Sequence, residues 1–339
     1  MSDNRNCVNI MKTFVCVFLF MTTVLTHRGR SRPQIIIDND AGGDDAMAIF
    51  LALLYEKHFE GPKLIGLTTG NGNTNLENVC RNNQRILKVA KRQDVPIYRG
   101  SEASLVVTPP IADYYGKDGL GDCGLYTTGL APLKEQSAVT ALIELSKIHE
   151  GNLIVITLGT LTNVALAIKL DPDFLGRLKQ LYVAAGHIQD EENPEPEFNA
   201  SMDIEAYHIV TQYATPDKVT VFPFSQVKTY LNLTRDWRLE SLGKIDTDIM
   251  RAQNQFEKIA IDKNEEWQAL DPAAVAVAIN EDLVEEYKYS KNGIITCGKE
   301  RGINTNHFVE KEDANVKVVY SVKEEEYKEF LLNVLSKEA

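Results

Sequence analysis

Residues 35–45 read Ile35-Ile36-Ile37-Asp38-Asn39-Asp40-Ala41-Gly42-Gly43-Asp44-Asp45. Three β-branched residues in an unbroken run form a strand buried on both faces, as in a parallel sheet. The Gly42-Gly43 pair then demands a tight turn. From Asp44 to Lys57 the residues are good helix formers and apolar on nearly every side, so this helix is itself expected to be buried. Strand, acidic turn and buried helix together begin a β-α unit.

The same alternation continues outward. Lys63–Thr69 reads as a strand and Leu76–Lys91 as a helix. Val95–Tyr98 is a brief apolar segment, Ser137–Glu150 a helix, Leu153–Leu158 a strand and Asn163–Leu170 a helix. Leu178–Ala185 and Val219–Phe222 are further strands, with a helix at Ile204–Tyr213 between them. The expected fold class is α/β: an open, mainly parallel, Rossmann-like sheet with helices on both faces and sites outside the carboxyl ends of the strands. Two long polar stretches, 108–133 and 186–201, follow strand ends and have the length of binding loops. Past Phe224 helices are expected at 245–262 and 272–280, strands at 293–296 and 316–320, and a closing helix at 324–336, with 225–265 as a helical lobe.

The chain has 339 residues, 44% of them hydrophobic, which supplies a full core. With 36 Lys plus Arg against 48 Asp plus Glu, the net charge is −12, and no basic cluster is present to bind a nucleic-acid backbone. Lys12 followed by the apolar run Phe14–Leu25 and polar Thr26-His27-Arg28 has the build of a secretory signal and is too short to span a bilayer. Residues 1–30 are therefore expected to be a removed targeting segment, residues 31–339 a single domain, and the product extracellular, with no stable membrane anchor. Three Cys lie beyond the signal, and an odd number leaves at least one without an intramolecular partner. Sequons stand at Asn199 and Asn232.

Four carboxylates within eight residues, Asp38, Asp40, Asp44 and Asp45, repel one another unless a cation lies among them. Helix capping needs only one. With no His or Cys nearby, the implied cation is hard and oxygen-liganded, so Ca²⁺ fits better than Zn²⁺. There is neither an EF-hand nor a Walker loop.

The ordered motif Asp38-x-Asp40-x-Gly42-x-Asp44-Asp45 resembles the opening signature of the inosine-uridine preferring nucleoside hydrolases. Gly70-Asn71, Leu161-Thr162-Asn163, Glu197-Phe198-Asn199 and Asp271-Pro272 are similar to that family's later motifs in order. The resemblance implies a nucleoside hydrolase fold, a catalytic domain acting on small-molecule ribonucleosides, release of free base and ribose, and a dimer or tetramer. It implies Ca²⁺ held by Asp40, Asp45, Asp271 and the Leu158 backbone carbonyl, with Asp40 as general base. Asp44, Asp271, Asn71 and Asn199 would contact the sugar, and Glu197 its 5′-hydroxyl. Asn193 is preferred over Glu192 as a second 5′ contact.

The chain departs from that pattern at two places. Leu270 stands where many members carry a His that protonates the leaving base. In a purine-specific branch, aromatic stacking replaces that His, and Tyr114, Tyr115 and Trp267 are the candidate rings, with His187 an alternative acid. Ala184-Ala185-Gly186 replaces Met-Gly-Gly. A nucleoside-binding protein with little turnover is the competing reading, and a structural protein with a calcium-stabilised acidic loop the third.

Overall fold

The computed structural model describes residues 32–111 and 113–339; the expected targeting segment lies outside them. The chain begins β1(Gln34–Asn39), α1(Gly43–His58), β2(Lys63–Thr69), α2(Leu76–Val89), β3(Ile97–Tyr98), α3(Ala138–Ile148), β4(Leu153–Thr157), α4(Thr162–Leu170), α5(Phe174–Arg177) and β5(Gln180–Ala184). It continues α6(Phe198–Met202), α7(Ile204–Tyr213), β6(Val219–Phe222), α8(Phe224–Tyr230), β7(Leu233–Thr234), α9(Arg235–Glu240), α10(Asp248–Phe256), α11(Lys258–Lys263) and β8(Glu266–Trp267). The last elements are α12(Leu270–Ile279), β9(Val284–Ile294), β10(Asn304–Phe308), β11(Val316–Val322) and α13(Glu324–Leu335).

Nine strands form one sheet in the order β10-β9-β11-β6-β5-β4-β1-β2-β3. All pairings from β3 across to β11 are parallel; only β9 runs antiparallel to its neighbours β11 and β10. Side chains of a strand alternate between faces, and both faces here are covered. Ile35 and Ile37 enter one apolar core with α1 and α12, while Ile36 enters the other with α4 and α7. The β-branched run therefore serves two cores at once, which confirms the α/β expectation.

From β1 the chain moves outward through β2 to β3, then returns to β4 on β1's other side. The crevice where the winding reverses lies between the carboxyl ends of β1 and β4, where ligands of such sheets bind. The Leu158 N–H donates to the Asp38 carbonyl at 2.8 Å, so the two ends stay joined.

The expected helix over 245–262 is two helices, α10 and α11, broken at Glu257, whose side chain is drawn inward. Strands β9 and β10 exceed expectation. β9 exposes Glu285 and Glu286 near its start and is buried only at Ser290, Asn292 and Ile294, and β10 is mostly polar, because this end of the sheet is partly solvated. Cys80, Cys123 and Cys297 are all free. Among the described residues no helix is long and apolar enough to cross a membrane.

Candidate active site

The acidic turn is built on its own backbone. Asp45 lies in the first turn of α1, and its carboxylate accepts the Gly42 N–H at 2.7 Å and the Asp40 N–H at 3.3 Å. Ala41 bridges them with φ +42°, a left-handed conformation uncommon for a residue with a Cβ. The Tyr115 ring lies over the glycines: a Cβ on Gly42 or Gly43 would stand 2.8 Å from it. Only bare backbone lets the ring close onto the turn.

Around this turn four acids converge. One carboxylate oxygen each from Asp44, Asp45 and Asp271 falls within a 4.8 Å group able to hold a metal ion. Asp271 arrives from the first turn of α12, and its carboxyl is in hydrogen-bond contact with Asp45. Asp40 touches Asp45 as well, but its two oxygens take the Asn73 backbone N–H at 2.8 Å and side-chain amide at 3.1 Å. The tightest trio therefore contains Asp44 where Asp40 was expected, because Asn73 offers Asp40 two donors. Gly72 permits this; its Cβ would overlap the Asp40 carboxylate at 1.8 Å.

Burial raises every one of these acids, and their mutual repulsion adds to it for Asp44, Asp45 and Asp271. Asp40 is pushed up to about 6 and Asp44 to about 7, while Asp45 and Asp271 lie well above the ordinary range. None forms an ion pair with Lys or Arg among the described residues; the buried Arg238 is paired to Glu257. A concentration of acids that no Lys or Arg ion-pairs among the described residues, made only of oxygen donors, fits a hard metal ion. The Leu158 carbonyl is beside it: a Cβ on Gly159 would stand 2.9 Å from Asp40 Cγ. That carbonyl accepts one Asn199 amide hydrogen at 2.8 Å and keeps a second lone pair.

Asp38 is not part of this group. It accepts Thr68 Oγ1–H at 2.6 Å and Asn163 Nδ2–H at 2.9 Å, and Asn163 also donates to the Thr69 carbonyl. The first acid of the motif and the Asn of Leu161-Thr162-Asn163 thus lock β1, β2 and the start of α4 together.

A cleft of about 470 Å³ opens above the acids, within the range of small-ligand sites. Asp44, Asp271, Asn73, Leu158, Glu197 and Asn199 form its polar lining, and Tyr114, Tyr115, Phe198, Phe224 and Leu270 its apolar walls. Tyr115 bonds Asp44 and meets Tyr114 edge-on at 4.8 Å.

The family model of the inosine-uridine preferring nucleoside hydrolases matches residues 35–329. The chain belongs to that family. It is 39% identical over 186 residues to probable uridine nucleosidase 2 of Arabidopsis thaliana, covering 53% of this chain and 56% of that protein. It is 35% identical over 182 residues to the inosine-uridine preferring nucleoside hydrolase of Leishmania major, covering 52% of this chain and 56% of that one. These matches span about half the length of the curated relatives. A solved plant nucleoside hydrolase superposes with a TM-score of 0.77 at 27% identity, covering 90% of this chain and 99% of that chain. The solved Inosine-Guanosine Nucleoside Hydrolase, at 24% identity and a TM-score of 0.81, shares the fold.

Several residues singled out by the nucleoside hydrolase resemblance stand elsewhere than expected. Trp267 does not line the cleft; its indole N–H donates to Glu257 at 2.9 Å and its ring packs on Trp237 and Arg238. Asn71 is buried and does not line the cleft, and its Oδ1 lacks a partner. Asn193 is turned into its own loop. It donates to Asp190 and accepts from Lys228, and Lys228 is the one that reaches the cleft. Glu192 is exposed. His187 stacks on Phe224 and is pushed down to about 4 by burial and by Lys228, so it is neutral at physiological pH and not a ready acid. Ala184 is fully buried outside the cleft, its carbonyl accepting Asn199 Nδ2 at 2.9 Å.

Asn73, Phe198, Phe224, Lys228 and Gln268 line the cleft but were not assigned site roles from sequence. Asn73 follows Gly70-Asn71 by two positions, and the intervening Gly72 was its only local signal.

Glu197 caps α6, accepting the N–H groups of Gly186, Asn199 and Ala200 between 2.7 and 3.0 Å. Both hydrogens of the Asn199 amide are committed to strand-end carbonyls, so a glycan cannot be joined to that nitrogen in the folded chain. Asn232 is exposed. Peptide mapping after expression through a secretory pathway should find Asn199 unmodified; an occupied Asn199 in folded protein contradicts this geometry.

Proposed function

We propose that the chain hydrolyses the N-glycosidic bond of ribonucleosides, releasing free base and ribose, with Ca²⁺ as the metal. The observation that carries the proposal is the cluster of Asp44, Asp45 and Asp271, with Asp40 touching Asp45, at the floor of an aromatic-walled cleft. The ion would be held by Asp45 and Asp271, with Asp40, Asp44 and the Leu158 carbonyl in reach. When bound, it lowers the pKa of water and anchors the vicinal sugar hydroxyls.

The protein's own groups supply the rest. Water adds to C1′ as the C1′–N bond breaks, the bonding pair leaving with the base. Asp40, fixed by Asn73, takes the water's proton. The surrounding acids stabilise positive charge as it grows on the ribose ring. Leu270 has no proton to give, so the departing base takes one from solvent while Tyr114, Tyr115, Phe198 and Phe224 hold it. That aromatic lining supports a lean toward purine nucleosides. Glu197 retains an acceptor site for the 5′-hydroxyl. The apolar run at 14–25 supports export from the cell.

The test is chromatographic separation of products from a panel of purine and pyrimidine nucleosides with Ca²⁺. Free base from purine nucleosides ahead of pyrimidine ones is expected. Tight nucleoside binding without base release would instead favour a binding protein, and neither would leave only a structural role.

Chelation gives a second check. Asp40 and Asp44 sit at about 6 and 7 when folded, above an unfolded value near 3.8. The metal-free folded state therefore holds protons that the unfolded state has released, and its stability falls as pH rises from about 4 to about 7, where the folded acids have also ionised. A chelator should lower Tm at pH 8 and do far less at pH 5. At a hundredfold excess over Kd, bound ion contributes about 2.7 kcal/mol. Scanning fluorimetry showing no chelator effect at pH 8 would contradict metal binding by these acids.

A further inference from the structure

Lys228 is the only cationic side chain lining the cleft among the described residues. It stands on α8 one helical turn after Phe224, so both project to the same side. Its Nζ donates to Asn193 Oδ1 at 2.8 Å, and Asn193 is oriented by two hydrogen bonds of 2.8 Å to Asp190. None of the ion pairs among the described residues includes Lys228, and one hydrogen bond to a neutral amide leaves it two further N–H donors. Burial keeps the neighbouring His187 neutral, so that ring adds no second cation.

The position of Lys228 follows from the loop after β5. Phe224 N–H donates to the Gly186 carbonyl at 2.8 Å, and the Gly186 N–H donates to Glu197 at 2.7 Å. Gly186 therefore ties together the segments that bring Glu197, an acceptor, and Lys228, a donor, to the cleft lining. Asn193, expected from sequence to touch the substrate, instead holds a side chain that lines the cleft.

We propose that Lys228 is a specificity-determining residue that donates a hydrogen bond to the 5′-oxygen of the ribose, with Asn193 as its positioning residue. The inference rests on the nucleoside reading above and adds to it a donor to complement Glu197. A hydroxyl has both a hydrogen to give and lone pairs to fill, and this pair of side chains matches both. A sugar lacking that oxygen leaves the ammonium facing the cleft unpaired, which is the source of discrimination.

The test is a ligand-by-variant cycle read by equilibrium binding, in an Asp40→Asn background so that turnover is not needed. Inosine and 5′-deoxyinosine are titrated with Ca²⁺ into protein with Lys228 and into Lys228→Met. With Lys228, the 5′-deoxy compound should bind about tenfold or more weaker, as befits a charge-assisted bond. In Lys228→Met that ratio should fall to about twofold. Asn193→Ala should give an intermediate ratio. An unchanged ratio in Lys228→Met overturns the inference, as does failure of inosine to bind at all. Absence of base release by the parent chain, with the ratio behaving as expected, defeats only the hydrolase reading.

Discussion

Asp40→Asn is expected to reduce base release about 10²- to 10⁴-fold, the contribution of a positioned general base, while the fold and nucleoside binding persist. The substitution keeps size and shape in a position with no solvent exposure. One oxygen survives to accept from Asn73, so the anchor to the loop after β2 is weakened and not lost. What disappears is the ability to take a proton. The measurement is single-turnover base release with melting temperature as control. Turnover within tenfold of the parent would remove Asp40 from the role of base. Asp44, bonded to Tyr115 and raised further than Asp40, would then be next to examine.

Arg238→Met should cost about 3–5 kcal/mol, the penalty for leaving one member of a buried ion pair alone. Arg238 and Glu257 side chains are 0% and 2% exposed and joined by two bonds of 3.0 and 2.6 Å. Without the guanidinium, Glu257 keeps only the Trp267 N–H. It also stands close behind the acidic turn, since a Cβ on Gly43 would lie 2.9 Å from Glu257 Cγ. An uncompensated charge there would add to the repulsion already acting on Asp44. Tm is expected to drop by on the order of 10 °C. Removing both charges, Arg238→Met with Glu257→Leu, should recover much of the loss. Equal losses in the single and double variants would assign the cost to packing.

The parts of the fold legible in sequence were those with a local cause. Lys63–Thr69 and Val219–Phe222 are strands over their full expected lengths because each is a short run rich in β-branched and apolar residues, the kind that two-sided burial in a parallel sheet requires. The acidic turn was legible for the same reason: its glycines and carboxylates lie within eight residues. What escaped detection depends on partners far away in the chain. Strand β9 carries Glu285, Glu286, Lys288 and Lys291, unlike a buried strand, and is held by pairing to β10 and β11. The break at Glu257 arises from a side chain that reaches Arg238 nineteen positions earlier. Trp267 was a plausible stacking ring by composition, and only tertiary contacts show it facing Arg238. The motifs named the acid cluster, but not that Asn73 would claim both oxygens of Asp40.

Asp40 and Asp271 meet in space although roughly 230 residues separate them along the chain. A ribosome must therefore deliver more than two-thirds of the polypeptide before the last carboxylate exists outside it, and no N-terminal fragment that stops before α12 can assemble the cluster. Closure of the acid cluster is therefore a report on synthesis through α12: a product cut short before Leu270 lacks Asp271 and also the core packing of α12 against α1.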